Sequence, residues 1–227
     1  MLRTTSIALA RPANTTAYAA GDAVSPVSLT ITAASNATPI VVTSAAHGLS
    51  TGDPVTVASV GGNTAANGDF VVTRIDANSF SLDGSVGNGA YTSGGTATRL
   101  LKLADVVPDK YSQGKIIKTR LICNLATITN GTFRVYFFTT QIAQIADNAA
   151  WTLLYAQRAL LVGYTGALTL VTEGSGSDAG VAQDFTSIPF VCAAGVNDLY
   201  AVIVAEGAYT PSSGETFYLE VTVEVNR

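Results

Sequence analysis

The stretch "FYLEVTVEVNR", residues 217–227, alternates apolar and polar side chains with a period of two. Phe217, Leu219, Val221, Val223 and Val225 share one face; Tyr218, Glu220, Thr222 and Glu224 share the other. Only an extended strand puts residues i, i+2 and i+4 on one side. An apolar face backed by a polar one marks an antiparallel strand lying half over a core.

Working outward, "GKIIKTRLICNLA" repeats the pattern. Its alternation groups Ile117, Thr119, Leu121, Cys123 and Leu125 on one face, against Lys118, Arg120 and Asn124. Asn130-Gly131 follows, a strong hairpin signal. It leads into "GTFRVYFFTT", with Phe133, Val135 and Phe137 expected inward. "NDLYAVIVAEG" is a continuous apolar run, as befits a strand deep in a sandwich. "DNAAWTLLYAQRALL" holds no Gly or Pro. It fits either a short helix capped by Asp147, with Trp151, Leu154, Tyr155 and Arg158 on one side, or a loop containing one helical turn.

The middle of the chain has a different texture. Residues 29–98 carry Arg74, four Asp and no Lys. Short strand candidates ("PIVVTSA", "DPVTVASV", "DFVVTRI", "SFSLD", "TATRLLKLA") alternate with turn-rich pieces such as "HGLSTGD", "GGNTAANG" and "GSVGNGAYTSGG". That rhythm suggests a small β-barrel. The preceding segment is too short for a domain, whereas a long β-rich block follows. The simplest arrangement is an antiparallel β-sandwich built from residues 1–28 and 99–227, with residues 29–98 inserted in one of its loops. One continuous sandwich with long hairpins is the alternative.

Composition narrows the function. Hydrophobic residues make up 48% of the 227, charged residues only 12%, about half the usual share. Mean hydropathy is +0.34, yet no apolar run approaches the ~18 residues of a membrane span. So thinly charged a chain is expected to bury surface against partners. A net charge of −4 and no basic run argue against nucleic-acid binding. The first residues lack the apolar stretch of a secretory signal, so export by that route is not expected.

No residue set assembles a reaction. His47, the single histidine, stands in "AAHGLSTGDPVTV" near Ser50 and Asp53. The strand beginning directly afterwards makes His47-Gly48 a turn, with Gly48 in a conformation closed to other residues. Cys123 and Cys192 read as buried thiols, and without CxxC spacing no zinc site is expected. Glu173 and Asp178 in "TEGSGSDAG" lack the ligand density of a calcium loop. The glycine-rich pieces do not follow a strand–loop–helix order for a nucleotide. Asn14, Asn36 and Asn130 head N-x-S/T triplets that such a composition produces by chance. No catalytic residue, metal or cofactor is expected. Trp151, Tyr155 and Tyr164 are the candidate contact aromatics, with burial in the protein's own core the competing role.

Two resemblances add to this. The stretch from His47-Gly48-Leu49 through Gly52-Asp53, "NTAANG" (63–68), "DANSF" (76–80) and Gly89-Ala90-Tyr91 to Gly94-Gly95 resembles a module of bacteriophage structural proteins. That module is itself similar to the first catalytic-cysteine half-domain of ubiquitin-activating enzymes; residues 29–98 hold no cysteine, so no activity comes with the likeness. "ARPANTTAYAAGD" (10–22) and "DNAAWT" (147–152) resemble proteins encoded among phage head genes. That family implies a jelly-roll-like sandwich on the capsid surface of a virion assembled in the host cytoplasm. The role implied is a capsid decoration, or cement, protein that forms a homotrimer and binds the major capsid protein, with no membrane or nucleic-acid partner. A tail- or fibre-associated adhesin for a host glycan is the alternative, though Tyr91 is the only Tyr or Trp in residues 29–98.

Overall fold

The computed structural model describes residues 1–109, 112–124, 131–142, 145–172 and 179–225. Leu125, Asn130, Glu173 and Asp178, singled out in the sequence, lie outside them. Alternating and β-branched runs parted by Gly, Asn and Asp become strands, and the chain is all-β. It begins with β1 (Leu2–Ala10) and β2 (Ala23–Val24). Next come β3 (Ser28–Thr30), β4 (Ala33–Ala34), β5 (Ile40–Thr43), β6 (Pro54–Ala58), β7 (Gly68–Arg74), β8 (Ser79–Leu82) and β9 (Thr96–Arg99). Then follow β10 (Leu101–Leu103), β11 (Gln113–Cys123), β12 (Thr132–Phe138), β13 (Leu161–Tyr164), β14 (Leu168–Thr169) and β15 (Val171–Thr172). The last are β16 (Gly180–Asp184), β17 (Ile188–Val191), β18 (Leu199–Ala205) and β19 (Thr216–Val225). Two compact units result, Met1–Pro26 with Leu101–Arg227, and Val27–Leu100.

The first unit is a sandwich of antiparallel sheets. One runs β1-β19-β11-β16-β15, with β17 also on β11; the other runs β10-β18-β12-β13, with β14 on β12 and β2 on β18. Their inner faces share a core that includes Leu9, Leu121, Phe217 and Leu219 from one sheet and Leu101, Phe133, Phe137 and Ile203 from the other. β19 buries the five alternate residues expected of it. β18 is buried on both faces, because Val202 and Val204 also pack beneath a covering segment on the far side. Cys123 and Cys192 are free, buried thiols.

Two local expectations are corrected, and one choice between readings is decided. In β11 the register against β19 shifts between Ile116 and Lys118. A bulge adds one residue and reverses the alternation, so Ile116 is buried and Ile117, expected inward, is not. The Asn130-Gly131 signal does not join a hairpin. β11 pairs with β16, β17 and β19 in one sheet and β12 with β13, β14 and β18 in the other, so β11 and β12 do not pair with each other. Of the two readings offered for the segment after Asp147, the structure has the loop containing one helical turn, α1 (Tyr155–Arg158), and Leu154 rather than Asp147 stands at its N-terminus.

The second unit is a seven-stranded sheet, β3-β9-β6-β7-β8-β5-β4. Its two end strands are successive pieces of one segment. β3 pairs with β9, and the Ile31 N–H donates to Gly95 O at 3.0 Å. The Thr32 N–H then donates to Thr43 O at 2.9 Å, and β4 pairs with β5. The sheet therefore curls round its own core of Ile40, Val55, Val72, Phe80 and Leu82.

Candidate functional site

The polar residues that mark the second unit are spent on its turns. His47 is buried, its ring edge-on to Phe80 with centroids 5.0 Å apart. Its Nδ1 accepts the Leu49 N–H at 3.0 Å, which leaves Nε2 to donate to Asp76 O at 3.0 Å. Gly48 has φ +63°. Asp53 accepts the Ser50 N–H at 2.9 Å and pairs with Arg99 at 3.0 Å. Asn63 bridges Ser35 O and the Asn88 N–H, and Asn67 takes both the N–H and the C=O of Val60. The N–H of Asn78 donates to Asp76 and holds that carboxyl below the ordinary aspartate value. Ser50 and Asp53 make no triad with His47, because both imidazole nitrogens are already engaged.

In the first unit the segments "ARPANTTAYAAGD" and "DNAAWT" come together. Asp147 of "DNAAWT" accepts Arg11 Nη2 at 3.0 Å, the Tyr18 hydroxyl at 2.5 Å and the Ser25 N–H at 3.0 Å. Arg11 Nε also donates to the Tyr18 hydroxyl, and its Cζ sits 4.8 Å from the Tyr18 ring centroid. Glu215 lies 3.8 Å from Arg11 Nη1 and accepts the Tyr209 hydroxyl at 2.6 Å. Burial opposes the Arg11 charge, but Tyr18 and Asp147 outweigh it and raise the pKa. Burial, reinforced by Asp147 and Glu215 respectively, pushes the Tyr18 and Tyr209 hydroxyls far above the ordinary tyrosine value. The knot is sealed from solvent and is structural. It fixes the segment after Asp147, which continues through an Asp22–Ala150 bridge to the Trp151 N–H, donated to Gly21 O at 2.9 Å.

That segment builds the site. Alternation on β12 turns Arg134, Tyr136 and Phe138 away from the sandwich core. Ile142, Trp151, Leu153 and Leu160 cover Phe138, Val202 and Val204 on this outer face. Beside the cover an open groove of about 470 Å³ remains, lined by Arg134, Tyr136, Trp151, Arg158, Tyr164 and Glu206 among others. Tyr136 is central: its ring centroid lies 4.5 Å from that of Trp151, tilted 48°, and 5.3 Å from that of Tyr164, tilted 41°. Arg134 stacks over Tyr164, 5.3 Å from its centroid, and pairs with Glu206 at 3.1 Å. The groove thus offers tilted aromatic faces with a charged rim, a surface suited to binding.

Of the candidate contact aromatics, Trp151 and Tyr164 line this groove. Tyr155, 91% exposed on α1, is not among its lining residues. Tyr136, Arg134 and Glu206 are not among the candidates the sequence offers, and Arg158 is named there only as a neighbour of Trp151 on the possible helix. Tyr136 and Arg134 had a signal: they occupy the alternate positions between Phe133, Val135 and Phe137. Among the described residues no group of His, Cys, Asp and Glu is placed to hold a metal ion, and no helix is long and apolar enough to cross a membrane.

No protein family matches the chain. No curated protein matches it. Among solved structures, PRD1 vertex protein P5 is similar at 14% identity and a TM-score of 0.25, over 78% of this chain and all of that one. So slight a likeness carries nothing across to this chain. The similarity of residues 29–98 to ubiquitin-activating enzymes gains no support from these comparisons.

Proposed function

We propose that the protein is a phage capsid decoration protein that cements the head, acting by association without a catalytic step. It forms a homotrimer and binds the major capsid protein at the capsid surface. The observation that carries this reading is the open edge of β1. This nine-residue strand pairs on one side only among the described residues, and Arg3 is its single charged side chain. A backbone edge with so little charge is a template for strand addition by a neighbour; beside it, among the described residues, the Thr5 hydroxyl donates to Ala104 O at 3.1 Å. Leu2, Phe185 and Val191, each more than half exposed, add apolar surface on the same unit. The resemblance of "ARPANTTAYAAGD" and "DNAAWT" to phage head proteins supports the same role.

Capsids stripped of the protein test it directly. Added protein is expected to co-sediment with them and to raise the temperature at which they rupture. Capsids that withstand heating equally well without it overturn the cementing role. The adhesin reading draws on the aromatic groove rather than on residues 29–98, where the Tyr91 hydroxyl is occupied by Ile31 O at 3.2 Å and Gly94 O at 2.9 Å. Antibody label confined to virion tails would favour it.

A further inference from the structure

We infer that the groove of the first unit binds an acidic oligosaccharide, with a pyranose ring on Trp151 and Tyr164 and its carboxylate on Arg158. The assignment goes beyond the cementing role and stands wherever on the virion the protein sits.

Three observations select this class of ligand. First, the rings of Tyr136, Trp151 and Tyr164 are tilted by 41–48° rather than packed flush, and Tyr164 remains 50% exposed. Tilted, partly open rings form a cradle. The negative face of an aromatic ring attracts the polarised C–H bonds of a sugar. Second, Arg134 and Glu206 flank the rings, already held by their own 3.1 Å ion pair. Each keeps further capacity, an N–H donor or a carboxylate acceptor, for sugar hydroxyls. Third, the charge is local. Two arginines face one glutamate in this groove, on a chain of net charge −4. Arg158 is exposed and makes no ion pair among the described residues. A free guanidinium beside an aromatic cradle matches a uronic or sialic carboxylate, which it can receive through two parallel N–H donors.

Trp151 is the only tryptophan of the chain, so its emission reads the groove without a label. The full-length protein is titrated with tetragalacturonate and sialyllactose, with neutral cellotetraose for comparison. A saturable emission change with at least one acidic sugar is expected. Arg158→Gln should weaken it about tenfold, the loss of one charge-assisted contact. Tyr164→Ala should remove it, with circular dichroism confirming the fold; Arg158→Gln, an exposed change, keeps the test valid if Tyr164→Ala does not fold. Three results overturn the proposal: no response to either acidic sugar at millimolar concentration, affinity unchanged in Arg158→Gln, or tighter binding of a poly-glutamate peptide, which makes the groove a dock for an acidic protein arm. None of them touches capsid binding, which the sedimentation experiment reads separately.

Discussion

Removing the Asp147 carboxylate leaves the buried Arg11 guanidinium facing Glu215 alone, at 3.8 Å. Breaking one side of a buried ion network costs about 3–5 kcal/mol. Asp147→Ala is therefore expected to lower unfolding stability by that order in urea titrations, and to shift Trp151 emission as its segment loosens. The same knot sets an alkaline limit. Tyr18 and Tyr209 ionise near the ordinary value of 10.0 when unfolded but far above it when folded. Burial likewise pushes the Cys192 thiol up to about 11. Above about pH 9–10 the unfolded chain sheds protons that the folded chain keeps, so stability falls as pH rises, having been fully present below that window. Urea midpoints from pH 8 to 11 should decline, and phenolate absorbance should report these two tyrosines only on unfolding. Two glycines separate strain from space. Gly48 has φ +63° and open surroundings, so Gly48→Ala should cost about 1–2 kcal/mol. A Cβ on Gly62, φ +76°, would stand 2.0 Å from Ala90 O, a backbone atom that cannot swing away. Gly62→Ala should cost clearly more than Gly48→Ala in calorimetry.

At the scale of elements, β1 is the one to perturb. Thr4 and Ser6 are exposed on an edge strand, so Thr4→Lys and Ser6→Lys should change stability by less than ~0.5 kcal/mol. A charge on an open edge blocks strand addition, so the pair of substitutions should abolish capsid binding if that edge docks. Retained binding in the sedimentation assay would move the contact elsewhere. Strand existence was legible for β12 and β19 because their patterns alternate, and for β18 because its apolar run is continuous and short. The face of β11 was legible only beyond its bulge, since one unpaired residue at Ile117 reverses the alternation and leaves no local signature. The supposed hairpin after β11 failed for a related reason. A turn signal describes a bend, and which sheet the next strand joins depends on partners far along the chain.

For the whole molecule, light scattering should give three times the 23.3 kDa chain mass if the protein assembles as the trimer proposed; a monomer at micromolar concentration would remove that part of the proposal. The sequence by itself determined the β class, the buried thiols and the His47-Gly48 turn. All three depend on interactions within a few residues, or on a period of two that one strand imposes on itself. Tertiary structure alone decided that Arg11 meets Asp147 across 136 positions. It also decided that Asp147 anchors a loop instead of capping a helix, and that Tyr136 joins Trp151 and Tyr164 in one groove. Those contacts arise from the packing of a covering segment on the outer face of a sheet, and a buried charge finds its counter-charge by position in space, which residue spacing along the chain does not encode.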